Sequence, residues 1–147
     1  MKINIHIDPS VEETRVDVRA PTLDAEVRRI ESALTRLGEP QRLTGTDGER
    51  TVLLDPARIL RLFTRDKRVY AHDAAGTWRI QPRLHEVEHR LQSDSFIRIN
   101  QGEIINLAHV AFMDLSGTGT IAVQLRDGTR CFVSRRSIPR FKAALGL

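Results

Sequence analysis

Cysteine is almost absent from this sequence, because Cys131 is the single thiol among 147 residues. One cysteine cannot form a disulfide within the chain, and it excludes a zinc site built from several cysteines. Its position in a run of apolar residues predicts a buried, inert thiol rather than a nucleophile. So little cysteine suits a reducing compartment, and we therefore expect a cytoplasmic protein.

Long apolar runs are also missing, although 40% of the residues are hydrophobic. No stretch approaches the ~20 apolar residues that cross a membrane, and the N-terminus lacks the apolar segment of a signal peptide. The glycine-rich loops that bind nucleotides and the nucleophile motif of serine hydrolases are absent too. We therefore expect a protein with no cofactor, no small-molecule substrate and no enzymatic activity.

Positive charge is present but unevenly distributed, and the net charge of the whole chain is +4. Residues 1–45 carry seven Lys and Arg against eight Asp and Glu, which gives −1, and residues 46–147 carry +5. Basic charge of this kind favours a polyanionic partner such as DNA. Most of the basic residues are Arg, whose planar group binds phosphate or guanine through two hydrogen bonds.

The first 40 residues have the pattern of a small separate unit. Apolar and polar residues alternate over residues 3–7 and again over 16–18, which predicts two strands. An apolar stripe at helical spacing over residues 23–37 predicts a helix, with Thr22 as its N-cap. We expect a β-β-α unit over residues 1–40. Because such a unit is too small for a core of its own, we expect it to serve dimerisation or partner binding.

Short strands and turns dominate the remainder, residues 41–147. Asp-Gly pairs at 47–48 and 127–128 lie between apolar runs and predict two hairpin turns. Only two short helices are predicted, one within residues 82–91 and one near the C-terminus. The fold class is therefore mostly β within an α+β arrangement: a multi-stranded β core with two short helices, preceded by the β-β-α unit.

Residues 85–89, His-Glu-Val-Glu-His, fit the zinc-protease pattern, in which two histidines bind zinc and the first glutamate is the general base. Helical spacing places Leu84, Val87 and Leu91 on one side and both histidines on nearly the opposite side. An amphipathic helix with its histidines in water explains the same pattern without a metal. No third ligand is marked by its spacing, so a zinc hydrolase is the least favoured alternative.

The most informative region runs from residue 95 to residue 145. Its segments are, in order, Phe96 and Arg98 in a strand, the polar loop Asn100-Gln101-Gly102-Glu103, Ile104-Ile105-Asn106, the Asp127-Gly128 turn, and Val133-Ser134-Arg135-Arg136. In order and spacing these segments resemble the LytTR family of bacterial DNA-binding domains. The resemblance extends back to about Thr44 and covers about two thirds of the chain.

This resemblance implies a sequence-specific transcriptional regulator that binds double-stranded DNA. Members of the family read DNA with loops at one edge of a β core, which enter successive major grooves while the DNA bends. The positions that correspond in this chain are Arg65, Lys67 and Arg68 in a turn, Asn100 and Gln101 in a loop, and Arg135 and Arg136 at the start of the last helix. The chemistry agrees, since Arg pairs with guanine, Asn and Gln pair with adenine, and cations hold phosphates.

Several residues of this region depart from the family pattern or have a second explanation. Glu103 stands where many members have an aromatic residue, and it is expected to point away from phosphate. Gly102 and its neighbours lack the basic residue that is common in this loop. Asn106 is predicted to be structural, bonding backbone at a turn. Arg98 fits an internal ion pair as well as a phosphate contact.

The last helix has two possible starts. Either Ser134 or Ser137 can cap it, because Pro139 is accepted only near the beginning of a helix. Arg135 and Arg136 fit a solvated helix end as well as a DNA contact. If they bind DNA, only one of them is expected to reach base edges, since neighbours on a helix point ~100° apart.

The resemblance also bears on partners. The N-terminal unit is too short for a phosphoacceptor receiver domain, and some stand-alone family members resemble regulators that are paired with a small membrane protein. We therefore predict a homodimer on a repeated DNA site, with a small membrane protein as a candidate controlling partner. A protein-interaction or adaptor module on the same scaffold, with arginines that only solubilise it, is the alternative from another functional class.

Overall fold

The structure, a computed structural model, describes residues 1–38, 42–91, 95–116 and 119–147. The chain divides into two compact units, Met1–Pro40 and Gln41–Leu147. Their boundary falls on residues that lie outside the described ranges. In the described parts, the first unit contains one helix, and the second contains ten strands and two α-helices.

The first unit contains the helix α1, Ala25–Gly38. Its cap is Asp24, whose carboxylate accepts a hydrogen bond from the backbone N–H of Val27 at 3.0 Å, so the prediction of Thr22 as the cap is wrong. The predicted strands at residues 3–7 and 16–18 are also wrong, because residues 1–24 contain no strand. Alternation marks a face for burial, but it does not supply the neighbouring strand that a ladder requires.

Apolar surface in the first unit is not buried. None of the side chains described within residues 1–38 is buried, and Val27, Ile30 and Leu34 on α1 are only half-buried. Ile3 and Ile5 are 73% and 80% exposed. The unit therefore has no hydrophobic core of its own, as expected from its size.

The second unit is built from two antiparallel sheets. The strands are β1 (Leu43–Thr46), β2 (Thr51–Leu54), β3 (Arg61–Arg65), β4 (Arg68–Asp73), β5 (Gly76–Ile80), β6 (Phe96–Asn100), β7 (Glu103–Asn106), β8 (Val110–Asp114), β9 (Ile121–Leu125) and β10 (Arg130–Val133), and the helices are α2 (Leu84–Arg90) and α3 (Ile138–Ala144). The larger sheet has the order β2-β1-β5-β4-β3-β7-β6, and the smaller has the order β10-β9-β8. The mostly-β prediction with two short helices in this region is confirmed.

Two hydrophobic cores lie on opposite faces of β7. Ile104 belongs to the first core, where α2 packs Leu84, Val87 and Leu91 against the larger sheet, and the predicted apolar side of this helix is confirmed. Ile105 belongs to the second core, which includes residues of β6, β9, β10 and α3. Successive side chains of a strand point to opposite faces, so one strand serves both cores.

The two predicted Asp-Gly hairpins are confirmed as the β1–β2 and β9–β10 turns. Gly48 and Gly128 have φ values of 102° and 89°, which L-residues rarely adopt. Asp127 also contacts the larger sheet, since its carboxylate lies 2.9 Å from Nε2 of His72 on β4. None of the helices in the described ranges is long and apolar enough to cross a membrane.

Candidate nucleic-acid interface

The β3–β4 turn and the β6–β7 loop lie side by side at one end of the larger sheet. Strands β3 and β7 are neighbours, with Phe63 opposite Glu103. Just beyond this pair, the backbone N–H of Thr64 donates to the carbonyl of Gly102 at 2.9 Å. The sheet therefore brings together two of the three places where the sequence predicts DNA contacts.

The third place is joined to the same end by contacts between β6 and the segment after β10. The backbone N–H of Ser134 donates to the carbonyl of Ile99 at 2.8 Å. The side-chain amide of Asn100 donates to the carbonyl of Phe132 at 3.1 Å. These bonds hold the 3₁₀ turn Arg135–Ser137 beside the β6–β7 loop.

The β3–β4 turn concentrates positive charge in a costly conformation. Asp66 and Lys67 have φ values of 50° and 63°, in a left-handed region where hairpins usually place Asn and Gly. Arg65 and Arg68 lie directly opposite each other, and like charges in this position destabilise a strand pair. Arg65, Lys67 and Arg68 are exposed and take part in no ion pair within the described ranges. Local cost that is retained in this way is typical of functional sites.

An aromatic residue that the sequence analysis missed supports Arg65. The guanidinium carbon of Arg65 lies 5.2 Å from the ring centroid of Phe63, a cation–π distance. Phe63 is buried and stacks on Tyr70, with 5.6 Å between the ring centroids. The alternation of Phe63 and Arg65 on one strand was the available signal, because residues two apart share a face.

The two polar residues of the β6–β7 loop differ in their surroundings. The side-chain carbonyl oxygen of Asn100 accepts a hydrogen bond from the backbone N–H of Gly102 at 2.9 Å. Its side-chain amide nitrogen donates to the backbone carbonyl of Phe132. The polar atoms of Asn100 are thus engaged within the protein. The side chain of Gln101 is exposed.

Arg98 holds the backbone of the β6–β7 loop through hydrogen bonds. Its Nε donates to the carbonyl of Asn100 at 3.2 Å, and its Nη2 donates to the carbonyl of Gln101. Its Nη1 lies 2.9 Å from a carboxylate oxygen of Glu88 on α2, and Arg140 on α3 donates to the other oxygen at 3.3 Å. Of the two roles open to Arg98, the structure therefore contains the internal ion pair.

Glu88 is a residue that the sequence analysis missed, although it lies within the His-Glu-Val-Glu-His motif. Its carboxylate joins α2 to both the loop and the last helix. The paired residues are 10 and 52 positions away along the chain, so no local spacing indicates them. The other glutamate of the motif, Glu86, is exposed, as are His85 and His89. The described residues contain no group of three His, Cys, Asp or Glu that could hold a metal ion.

Glu103 points into the protein, as predicted. Its carboxylate pairs with Arg61 at 2.7 Å, and both side chains are largely buried. The Cys131 thiol donates to the same carboxylate at 3.6 Å. Burial, together with the charge of Glu103, raises the pKa of the Cys131 thiol to about 12 and favours the thiol over the thiolate; the prediction of a buried cysteine is confirmed.

Asn106 has the structural role that was predicted. It is buried, and its side-chain amide nitrogen donates to the backbone carbonyl of Ile59 at 2.9 Å. Its carbonyl oxygen accepts a hydrogen bond from the backbone N–H of Ala108 at 3.0 Å, which caps the 3₁₀ turn Leu107–His109.

Of the two predicted starts of the last helix, the α-helix uses the second. A 3₁₀ turn follows Ser134, and α3 follows Ser137 with Pro139 in its first turn. Neither serine side chain caps a helix, so the predicted caps are wrong; the Ser134 hydroxyl instead donates to the Ser137 hydroxyl at 2.9 Å. The two predicted arginines therefore lie in the 3₁₀ turn before α3 and not on the α-helix itself.

Arg135 and Arg136 are both exposed, but their surroundings differ. The guanidinium of Arg135 lies against Gly119, where an added Cβ would come within 2.6 Å of the arginine Nε. The missing side chain of Gly119 therefore leaves room for the guanidinium of Arg135. Arg136 forms no ion pair or side-chain hydrogen bond with the other described residues.

Comparison with known proteins assigns the second unit to a family. The model of the LytTR family, "LytTr DNA-binding domain", matches residues 49–146. A solved structure, the "LytTr DNA-binding domain of putative methyl-accepting/DNA response regulator from Bacillus cereus", has the same fold with a TM-score of 0.69 and 24% identity. The similarity covers 72% of this chain and 97% of the Bacillus cereus chain.

Relatives from Staphylococcus aureus match the whole chain. A protein of strain NCTC 8325 and another of strain MSSA476, each described as an "uncharacterized HTH-type transcriptional regulator", are 26% identical over 147 residues. The match covers 100% of this chain and 99% of each relative, so it includes the N-terminal unit. The described parts of this chain contain no two consecutive α-helices, so the words "HTH-type" do not describe its fold.

The family match covers well over half of the chain and agrees with the arrangement of exposed cations at one end of a β core. It points to a regulator and not to an enzyme. This chain belongs to the LytTR family of DNA-binding domains, and it is a DNA-binding transcriptional regulator.

Proposed function

We propose that this regulator binds double-stranded DNA sequence-specifically through one end of its larger sheet, here called the loop end. The loop end comprises Arg65–Arg68, Asn100–Glu103 and Arg135–Ser137. The observation that carries the proposal is the β3–β4 turn, which exposes three cations, one of them, Lys67, at positive φ, and none of the three forms an ion pair among the described residues. Phosphate would supply the missing counter-charge.

The width of the loop end suits a groove-spanning contact. From β4 across β3 and β7 to β6 there are three strand-to-strand steps, or about 14 Å at ~4.8 Å each, and the segment that leads into the 3₁₀ turn is hydrogen-bonded to β6. Successive major grooves on one face of DNA are ~34 Å apart. Long side chains cover part of the difference, and bending of the DNA toward the protein covers the rest.

Each candidate residue has a proposed role. Arg136 and Gln101 read base edges, because both are exposed and neither is held by its neighbours. The cations of the β3–β4 turn and Arg135 hold phosphates. Asn100 acts through Gln101, since its own polar atoms are engaged within the protein.

The proposed assembly is a homodimer on a repeated DNA site in the cytoplasm, where the chromosome lies in a bacterium. The unit Met1–Pro40 is the proposed dimerisation unit, because its apolar surface is unburied in the single chain. A small membrane protein that controls activity is the alternative occupant of that surface. The protein-interaction module remains the alternative function.

Selection of bound fragments from a random double-stranded DNA pool tests the proposal. A single enriched motif is expected, and its affinity should fall steeply with salt because several phosphates are contacted. Enrichment of no motif, together with binding that does not depend on salt, would favour the protein-interaction module instead.

Variants at three positions separate reading from positioning, which is our first prediction. Arg136→Ala should cost on the order of 1–3 kcal/mol of binding free energy and relax the preference at one base pair. Gln101→Ala should relax a second base pair. Lys67→Ala should weaken binding to all sequences alike and lower the salt slope by about one unit.

Each variant would be measured against a panel of single-base operator changes at two salt concentrations. Equal weakening on every sequence for Arg136→Ala would show that this arginine positions the protein and does not read a base.

A further inference from the structure

The N-terminal eight residues have exposed apolar side chains and backbone groups that are largely unpaired. Ile3, Ile5 and Ile7 are 73%, 80% and 87% exposed. Residues 1–8 contain no turn or bend, and the backbone groups of residues 2–7 form no hydrogen bond within the described part of the chain. A segment of alternating apolar residues with unpaired backbone groups can form a strand by pairing with another chain.

We infer that residues 2–8 of two copies pair as antiparallel strands around a twofold axis through Ile5, an interface that rests on the proposed homodimer. In this register Ile5 faces its own counterpart, and Ile3 faces Ile7 of the partner subunit. All six isoleucines then lie on one face, because residues two apart in a strand share a face. The interface is self-complementary, as a twofold dimer requires.

Charge supports this register. The register places Lys2 opposite Asp8 of the partner subunit at both ends of the strand pair, and it places Asn4 opposite His6 of the partner subunit. Opposite charges that face each other across strands stabilise the pair. In the single chain Asp8 uses one carboxylate oxygen, Oδ1, for both hydrogen bonds from Ser10, which leaves Oδ2 for a lysine.

Other pairings of the same unit are less favourable. A shift of the register by two residues in one direction places His6 opposite His6 of the partner subunit. The same shift in the other direction places Ile7 opposite Met1 of the partner subunit and Lys2 opposite His6 of the partner subunit. A shift by one residue sets isoleucines opposite polar residues. Self-pairing of residues 15–19 would place Arg15 opposite Arg19 and Asp17 opposite itself, and like charges there are destabilising.

Single cysteines in the full-length protein test the register. Ile5→Cys places two cysteines at facing positions of the strand pair. The distance between their Cα atoms then falls within the roughly 4.4–6.8 Å that a disulfide spans. Ile3→Cys places its two thiols about 13 Å apart, four residues at ~3.3 Å each. The native Cys131 is buried, and the unmodified chain is the blank.

After mild oxidation, Ile5→Cys should run as a covalent dimer on a non-reducing gel, and Ile3→Cys should remain largely a single chain. An equimolar mixture of Ile3→Cys and Ile7→Cys should form the mixed dimer. Equal cross-linking of Ile3→Cys and Ile5→Cys would overturn the register, since the two exposed sites collide equally often in the absence of a fixed interface.

A charge at the axis separates this inference from the proposed function. Ile5→Asp should raise the dimer dissociation constant at least about tenfold, a change of ~1.4 kcal/mol, in sedimentation at several concentrations. It should still bind a single half-site with an unchanged salt slope. A dimer as tight as the unmodified protein overturns the inference and leaves DNA binding intact. Salt-independent binding or no DNA binding by the unmodified protein overturns the proposed function instead, whatever the cross-linking result.

Discussion

The β3–β4 turn and the β6–β7 loop lie side by side at the loop end, yet their conformations are maintained in opposite ways. The β6–β7 loop is held by hydrogen bonds: Arg98 donates to two of its carbonyls, and Asn100 accepts from one of its amides. The β3–β4 turn has two residues at positive φ and two arginines facing each other. Hydrogen bonds fix the conformation of the β6–β7 loop, whereas the β3–β4 turn concentrates positive charge in an unfavourable conformation.

This difference indicates a division of labour. Reading a base edge requires a side chain held to within a fraction of an ångström, which a braced loop provides. Binding a phosphate requires charge and little orientation, which a turn crowded with cations provides. We therefore expect base specificity to depend on the support of the β6–β7 loop, and non-specific affinity to depend on the β3–β4 turn.

The largest effect is expected from Glu88→Ala. It removes the carboxylate that holds Arg98 and Arg140, and hydrogen bonds to charged groups are each worth about 1.5–3 kcal/mol. Specific DNA affinity should fall by a comparable free energy, while non-specific affinity and the salt slope change little. Titrations with specific and scrambled DNA measure this, and circular dichroism verifies folding. Equal loss on both DNAs would contradict a bracing role.

Asn100→Ala should have a somewhat smaller effect. It leaves the Gly102 amide and the Phe132 carbonyl without their side-chain partner, which costs about 1 kcal/mol of unfolding free energy. Base preference should relax only at the position that Gln101 reads. A double-mutant cycle with Gln101→Ala should therefore be non-additive for DNA binding. Loss of preference at a new base pair would instead make Asn100 a reader.

Lys67→Gly should produce two modest effects of opposite sign. Relief of the left-handed conformation of Lys67, which costs an ordinary residue about 1 kcal/mol, should raise the free energy of unfolding. Removal of the charge should weaken DNA binding on all sequences. Lys67→Arg is the matched control, since it keeps both the charge and the strained conformation. A Lys67→Gly protein that gains stability and keeps its DNA affinity would separate this turn from phosphate binding.

The smallest effect is expected from Glu86→Gln. Glu86 is exposed and lies two residues before Glu88 on the same helix, so the pair is a controlled comparison within one motif. Thermal stability and DNA binding should remain within error of the unmodified protein. Elemental analysis should find no stoichiometric zinc after purification without added metal. Peptidase activity that disappears in Glu86→Gln would revive the hydrolase interpretation.

Local patterns made most of the fold predictable. The apolar side of α2, the two Asp-Gly turns and the roles of Asn106 and Cys131 follow from the period of a helix or strand or from the preference of one residue type. The bracing of the β6–β7 loop was not predictable, because Arg98, Glu88 and Arg140 are brought together only by tertiary packing.

The strand prediction for the N-terminal unit was wrong for a different reason. The alternation of Ile3, Ile5 and Ile7 predicts a strand that the single chain does not form, and these side chains are exposed. A sequence pattern records what a segment requires of its surroundings, including surroundings that another molecule supplies.

The arginines that face each other across the β3–β4 turn have a consequence for how ionic strength acts on this protein. Mobile salt ions screen the repulsion between Arg65 and Arg68, so the free protein should melt at a higher temperature as salt is added. The same ions compete with the protein for the DNA backbone and weaken the proposed complex. In the proposed complex, DNA phosphates would supply counter-charge to these arginines, so bound DNA should raise the melting temperature most when salt is low.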